Sequence, residues 1–175
     1  GVLNVEERRR YDALVRGQRQ DQADSFLLAR SLLRGTLSRY CPQVPATEWR
    51  FRPNSHGRPE LCLQGEYTGG VPPGLRRLRF NLSHCPGLVC LAVTLGREVG
   101  VDAEPIQQRR RMMAIAKRFF TTEETEALSE MEGEEQARVF CRLWTLKEAY
   151  VKARGMGIAG IGLDKFSFEG LDGLR

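Results

Sequence analysis

Apolar and polar positions along the chain follow a helical rhythm at first and then break into short runs. Val5 to Arg16 reads as a basic helix. Gln20 to Tyr40 reads as a longer one, with Phe26, Leu27, Leu28, Leu32, Leu33 and Leu37 in a broad apolar stripe. Arg30 and Arg34, four apart, share one edge of it. Two prolines in Cys41 to Pro45 end the pattern. Trp49 to Arg52 and Leu61 to Leu63 are short strand candidates, and Gly69 to Gly74 is a Gly/Pro loop. Leu78 to Leu82 and Leu88 to Leu95 are better strands; the second reads as buried on both faces. Gly96 and Arg97 turn the chain, and Glu98 to Glu104 reads as a third strand stopped by Pro105.

The pattern then returns to helix. Gln107 to Phe120 has helical spacing, and Thr121 to Glu124 fits a capping box opening another helix. Glu134 to Arg154 is the longest helical pattern of the second half, broken by Gly155, Gly157 and Gly160. Lys165 to Phe168 reads as a last strand. Helices and strands do not alternate regularly, so the expected class is α+β, with a lobe boundary near residue 98.

Composition narrows the picture. The 175 residues are 41% apolar, enough for a real core in one compact domain or two small lobes. Twenty-seven Lys and Arg face 22 Asp and Glu, a net charge of +5. That excess suits a polyanionic ligand, an acidic protein partner or nucleic acid. Arg8-Arg9-Arg10 and Arg109-Arg110-Arg111 would serve nucleic acid, but no nucleic-acid motif accompanies them, and that partner is not expected. No apolar run approaches the ~20 residues that span a bilayer, and no signal peptide is visible. Five cysteines without C-x-x-C spacing read as free thiols, and a cytoplasmic location is expected.

Four short elements carry candidate chemistry. In Val99 to Glu104, Asp102 and Glu104 are two apart, so on a strand they share a face with backbones ~7 Å apart. They either face solvent at a strand end or hold a cation between them; hard oxygen ligands suit Mg²⁺. In Trp144 to Lys152, Trp144, Glu148 and Lys152 stack on one helix face, with Lys147 beside them. Glu148 and Lys152 form either an ordinary surface pair or a third carboxylate with a phosphate-binding cation. Asn81-Leu82-Ser83-His84 ends a strand with two groups able to donate to phosphate. Neighbours on a strand point to opposite faces, which argues against a Ser–His catalytic pair. Gly57-Arg58-Pro59 is a rigid turn presenting a cation. His56 has no partner motif and reads as structural or exposed.

In this order and spacing, the four elements resemble the Sfp-type phosphopantetheinyl transferases. The hallmarks are a G-I/V-D-x-E strand, a W-x-x-K-E-x-x-x-K helix and a preceding Ser-His turn. The segment Ala116 to Phe120 with Thr122, Glu123 and Glu124, and the helix bearing Arg30 and Arg34, are similar to the family as well. The resemblance implies two similar α+β lobes related by a pseudo-twofold, here 1–98 and 99–175, with the site between them. It implies transfer of phosphopantetheine from coenzyme A to a serine of an acyl or peptidyl carrier protein. Asp102, Glu104 and Glu148 would hold Mg²⁺, with Glu148 also the base. Lys152, helped by Lys147 and His84, would contact the phosphates. Ser83, Arg58 and Arg10 would bind the adenosine bisphosphate end. Arg58 stands where lysine is usual. The second lobe would be truncated relative to the family. An acidic carrier is expected to dock at Arg109 to Phe120, and the enzyme to be a monomer. The rival readings are a non-catalytic module binding coenzyme A or a carrier, and a basic nucleic-acid-binding protein.

Overall fold

The computed structural model describes residues 2–62, 73–107, 111–155 and 161–168. Helices α1 (Val5–Arg16) and α2 (Gln20–Tyr40) lead into hairpin β1 (Phe51–Pro53) and β2 (Pro59–Leu61). A 3-10 turn at Pro73–Arg77 enters a second antiparallel hairpin, β3 (Leu78–Cys85) and β4 (Leu88–Leu95). Three helices follow: α3 (Met112–Phe119), α4 (Thr122–Ser129) and α5 (Gly133–Arg154). The α+β class holds, with mixed helix and small sheets. Among the described residues, no helix is long and apolar enough to cross a membrane.

Two apolar clusters carry the fold. The first joins α2 to the hairpins through Leu33, Leu37, Trp49, Leu75, Leu78 and Phe80. The second lies among α3, α4 and α5, around Met112, Ala116, Phe120, Leu128, Phe140 and Leu143. At roughly 1.5–3 kcal/mol for each fully buried large apolar side chain, either cluster outweighs any single polar contact.

Local signals set the helix ends. Asn4 Oδ1 accepts the Glu7 amide at 2.9 Å while Glu7 Oε2 accepts the Asn4 amide at 3.1 Å. The same reciprocal box forms between Thr121 and Glu124, as its sequence predicts. Gly155, at φ 66°, closes α5 in the left-handed conformation that a side chain disfavours. Glu7 also joins α1 to α2. Arg34, wholly buried, donates Nε to Glu7 Oε2 at 3.0 Å; its Nη2 lies 2.8 Å from the same oxygen but off the hydrogen-bond line. Its Nη1 reaches the carbonyl of Ala46 at 2.7 Å. Arg30 approaches Glu7 Oε1 at 3.4 Å.

Several strand expectations change. Glu98 to Glu104 joins no ladder among the described residues; side chains of β3, rather than a neighbouring backbone, take the amides of Val101 and Ala103. Lys165 to Phe168 is not a strand either: the 3-10 turn Leu163–Lys165 takes in its first residue, and Lys147 Nζ binds the Phe166 carbonyl at 2.6 Å. Strand β4 is half-buried along Val89–Thr94 instead of buried on both faces, since β3 is its single partner strand among the described residues. Strand β1 starts at Phe51 because Trp49 turns wholly inward and gives its Nε1–H to Ser38 Oγ at 2.8 Å. Strand β2 ends at Leu61; Leu63 and most of the Gly69 to Gly74 loop fall outside the described residues. The helix expected over Gln107 to Phe120 begins only at Met112.

The buried Glu7–Arg34 pair generates a prediction. Arg34→Met leaves a buried carboxylate with one half-committed partner, and is expected to cost about 3–5 kcal/mol in denaturant unfolding. Adding Glu7→Gln should recover most of that loss.

Candidate functional site

The site forms where the extended segment after β4 passes between β3 and α5. On β3, Asn81 and Ser83 are two apart and both face inward, at 5% exposure each. Asn81 Oδ1 accepts the Val101 amide at 2.9 Å, and Ser83 Oγ accepts the Ala103 amide at 3.3 Å. These side chains replace the missing ladder and fix the register of the segment. On its other side, Gly100 lies against α5. A Cβ there would overlap the Ala149 carbonyl oxygen and stand 2.6 Å from the Ala153 nitrogen, so only glycine permits the approach.

That approach brings the charged groups together. Lys152 Nζ donates to Asp102 Oδ1 at 2.5 Å and to Ser83 Oγ at 3.0 Å. Ser83 in turn donates to Asp102 Oδ1 at 2.9 Å, so its hydroxyl gives one hydrogen bond and takes two. Asp102 Oδ2 is buried without a hydrogen-bond partner. Asp102, Glu104, Trp144, Glu148, Lys152 and His84 line one cleft of ≈410 Å³. Burial, then the negative charge of Asp102, pushes the Glu148 carboxyl above its ordinary range; Glu104 adds to this and Lys152 opposes it. The three acids therefore sense one another. Among the described residues, however, no three Asp, Glu, His or Cys side chains already converge at metal-ligand spacing. Asp102 is turned onto Lys152 instead.

Ser83 and His84 diverge as strand neighbours should. Ser83 is buried against Asp102, while His84 is exposed and borders both the acid cleft and a larger cavity of ≈1120 Å³ beneath α2. That second cavity takes in Arg10, Phe26, Arg30 and Leu82. Arg10 and Arg30 stack on the Phe26 ring at 5.0 and 5.4 Å. Burial pulls the Arg30 pKa down, as do Arg34 and Arg10, against attraction from Glu7. Arg30 is thus a cation at this cavity to which the motifs assigned no role.

Lys147, expected at the phosphates, and Arg58, expected at the adenosine bisphosphate end, line neither of these two cavities. Lys147 is wholly buried: its ammonium is 2.8 Å from Glu124 Oε2, donates to the Leu163 and Phe166 carbonyls, and sits 4.7 Å from the Phe166 ring centroid. With those partners it cannot turn to the cleft. Arg58 also does not line the acid cleft. It holds the C-terminal end of α5 and borders a separate cavity of ≈260 Å³ with Arg76, Arg79 and Glu98. The motifs contain Asn81 and Gly100 but give them no task. The shared face of Asn81 and Ser83 was legible from their spacing, whereas the packing of Gly100 was not.

Phe120, the residue that ends α3, enters the core at 3% exposure. Phe119 is half-buried and meets Trp144 edge to face at 5.7 Å. Arg111, Ala114, Lys117 and Arg118 are exposed; Arg109 and Arg110 fall outside the described residues.

Residues 98–174 match the 4′-phosphopantetheinyl transferase superfamily. The chain is 35% identical over 151 residues to the 4′-phosphopantetheinyl transferase HetI of Nostoc sp., covering 85% of this chain and 60% of the relative. It is 29% identical over 174 residues to the 4′-phosphopantetheinyl transferase Sfp of Bacillus subtilis, covering 94% and 70%. To the 4′-phosphopantetheinyl transferase AcpT of Salmonella typhimurium it is 36% identical over 89 residues, covering 51% and 44%. The chain thus spans 60% of the length of HetI.

The contact at Gly100 can be tested against a neutral glycine. Gly100→Ala is expected to lower stability by about 1–3 kcal/mol or more, because backbone stands on the far side and cannot swing away. Gly35→Ala on α2, with nothing within 4 Å of the added methyl, should be neutral or stabilising by about 0.5–1 kcal/mol. Paired thermal and denaturant unfolding of the two variants checks this.

Proposed function

We propose that the chain moves the phosphopantetheine arm of coenzyme A onto a serine of an apo carrier protein, the reaction that names the 4′-phosphopantetheinyl transferase superfamily its residues 98–174 match. The observation that carries this reading is the junction of two cavities at His84. One is large, with an aromatic ring and two guanidinium groups; the other is acidic, with a lysine. A ligand with a nucleotide at one end and a diphosphate toward the other needs such a pair. His84 would meet its phosphates at the junction, and Arg10 and Arg30 would face the adenosine bisphosphate end.

The residues present fit a hard cation. Asp102 carries a buried oxygen without a hydrogen-bond partner, and Glu148 is held above its ordinary pKa by burial and two neighbouring acids. Bound Mg²⁺ would relieve both, held by Asp102, Glu104 and Glu148, and would offset charge developing on the phosphate oxygens. Lys152 already spans Asp102 and Ser83. In the reaction it would neutralise charge on the phosphate oxygens, while Ser83 holds Asp102 and the Val99–Glu104 segment in place. The carrier serine Oγ forms the new bond to the phosphorus bearing pantetheine. Its proton passes to Glu148, and the bond to 3′,5′-ADP breaks.

The finer architecture supports the same reading. Two separate apolar clusters lie on either side of residue 98, with the cleft between their elements. We read them as lobes 1–98 and 99–175, related as in the family, in a monomeric cytoplasmic enzyme. The carrier would dock on the exposed cations of α3 and the residue before it, which follow directly from the acid-bearing segment.

Intact mass of a panel of apo carriers, incubated with coenzyme A, Mg²⁺ and this protein, tests the activity. The phosphopantetheine increment should appear on at least one carrier. It should vanish with chelator and with Asp102→Ala, and fall roughly tenfold to a thousandfold in rate with Lys152→Ala. Binding of coenzyme A without any increment would reduce the protein to a non-catalytic module.

Docking is tested separately. Arg111→Glu with Lys117→Glu is expected to raise KM for an acidic carrier several-fold and flatten its salt dependence. KM for coenzyme A should hardly move. Equal changes in both KM values, or in neither, would place the carrier elsewhere.

A further inference from the structure

Arg58 is committed inside the protein, at the end of the helix that carries Glu148 and Lys152. Its Nη1 donates to the carbonyls of Lys152 and Ala153, at 3.0 Å each. Its Nη2 reaches the Phe80 carbonyl on β3 at 3.4 Å and Glu98 Oε2 at 3.2 Å. The remaining donor, Nε, is buried. The side chain is 11% exposed and lines no part of the acid cleft.

The turn that presents Arg58 is itself tied to α5. Asn54 Oδ1 accepts the amides of His56 and Arg58, and Asn54 Nδ2 reaches the Gly155 carbonyl at 3.4 Å. Gly155 packs under the guanidinium: a Cβ there would stand 3.2 Å from Arg58 Nη1. A cation belongs at this place, since the last carbonyls of a helix lack amide partners and carry its negative dipole end. A guanidinium also fits the place better than an ammonium. Its planar fork serves two carbonyls on the helix while another arm holds the strand and an acid.

We propose that Arg58 is a positioning residue for the catalytic end of α5. It fixes the last turn against β3 and Glu98, so that Lys152 stays on Asp102 and Ser83, and it does not contact the nucleotide. This rests on the function proposed above and replaces the nucleotide-binding task that the family resemblance implies for Arg58. One residue thereby links the β1–β2 turn, β3, the start of the acid-bearing segment and the helix end.

Hydrogen exchange and kinetics together test it, with Arg58→Lys as the main variant and Arg58→Met as the second. Arg58→Lys keeps the charge and loses the fork. Amides at the end of α5, in residues 150–155, are expected to exchange about tenfold faster, with those of 136–143 unchanged. This readout needs no activity, so it stands even if no carrier accepts the arm. In transfer assays, kcat should fall about tenfold while KM for coenzyme A stays within about twofold. The loss should be the same with 3′-dephospho-coenzyme A as donor, because a residue that never meets the 3′-phosphate cannot couple to it. Unchanged exchange at the helix end overturns the proposal. So does a raised KM for coenzyme A that disappears with the dephospho donor, which would return Arg58 to the nucleotide. Faster exchange throughout α5 would make the residue a general stabiliser and overturn it equally.

Discussion

How close one backbone can come to a helix decides the geometry of the cleft. Gly100 lies where any side chain would run into the backbone of α5 at Ala149 and Ala153. With that contact, Asp102, two residues on, meets Lys152, one turn further along the helix. Without it, the acids of the extended segment and those of the helix would belong to separate surfaces. Asn81 and Ser83 hold the segment from the other side, through its amides. The segment is therefore placed by a steric limit on one flank and by two hydrogen bonds on the other. An extended chain outside a ladder needs such substitutes, since its backbone groups must find partners when buried.

The charged groups gathered this way divide between two kinds of work. Lys147 and Lys152 are five residues apart on α5, which turns them about 140° from each other. One enters the core of the helical half, neutralised by Glu124 and capped by two carbonyls. The other stays on the cleft and neutralises Asp102. A buried ammonium with a paired carboxylate adds little net stability, yet removing either partner is costly, so Lys147 fixes where residues 163–166 must lie. Lys152 is 30% exposed along its side chain and can change partners when a phosphate arrives. The same division separates Arg34, buried and held by Glu7 and Ala46, from Arg30 and Arg10 at the edge of the larger cavity.

Much about this protein follows from local rules that the amino-acid sequence carries by itself. Val5–Arg16, Gln20–Tyr40 and Leu88–Leu95 are legible to the residue, because helix and strand periods and capping chemistry act over a few neighbours. The Thr121 box and the shared face of Trp144, Glu148 and Lys152 are local in the same sense. The motif order, too, is a property of the sequence alone, and it carries the resemblance to one enzyme family. Tertiary structure alone decided the rest. It sent Lys147 inward and Phe120 into the core, gave Arg58 to the end of α5, and left Glu98 to Glu104 without a ladder among the described residues. Each of those outcomes depends on which distant group arrives as a partner. Residue type and spacing state what a side chain can do; contacts made across tens of residues select which of those things it does.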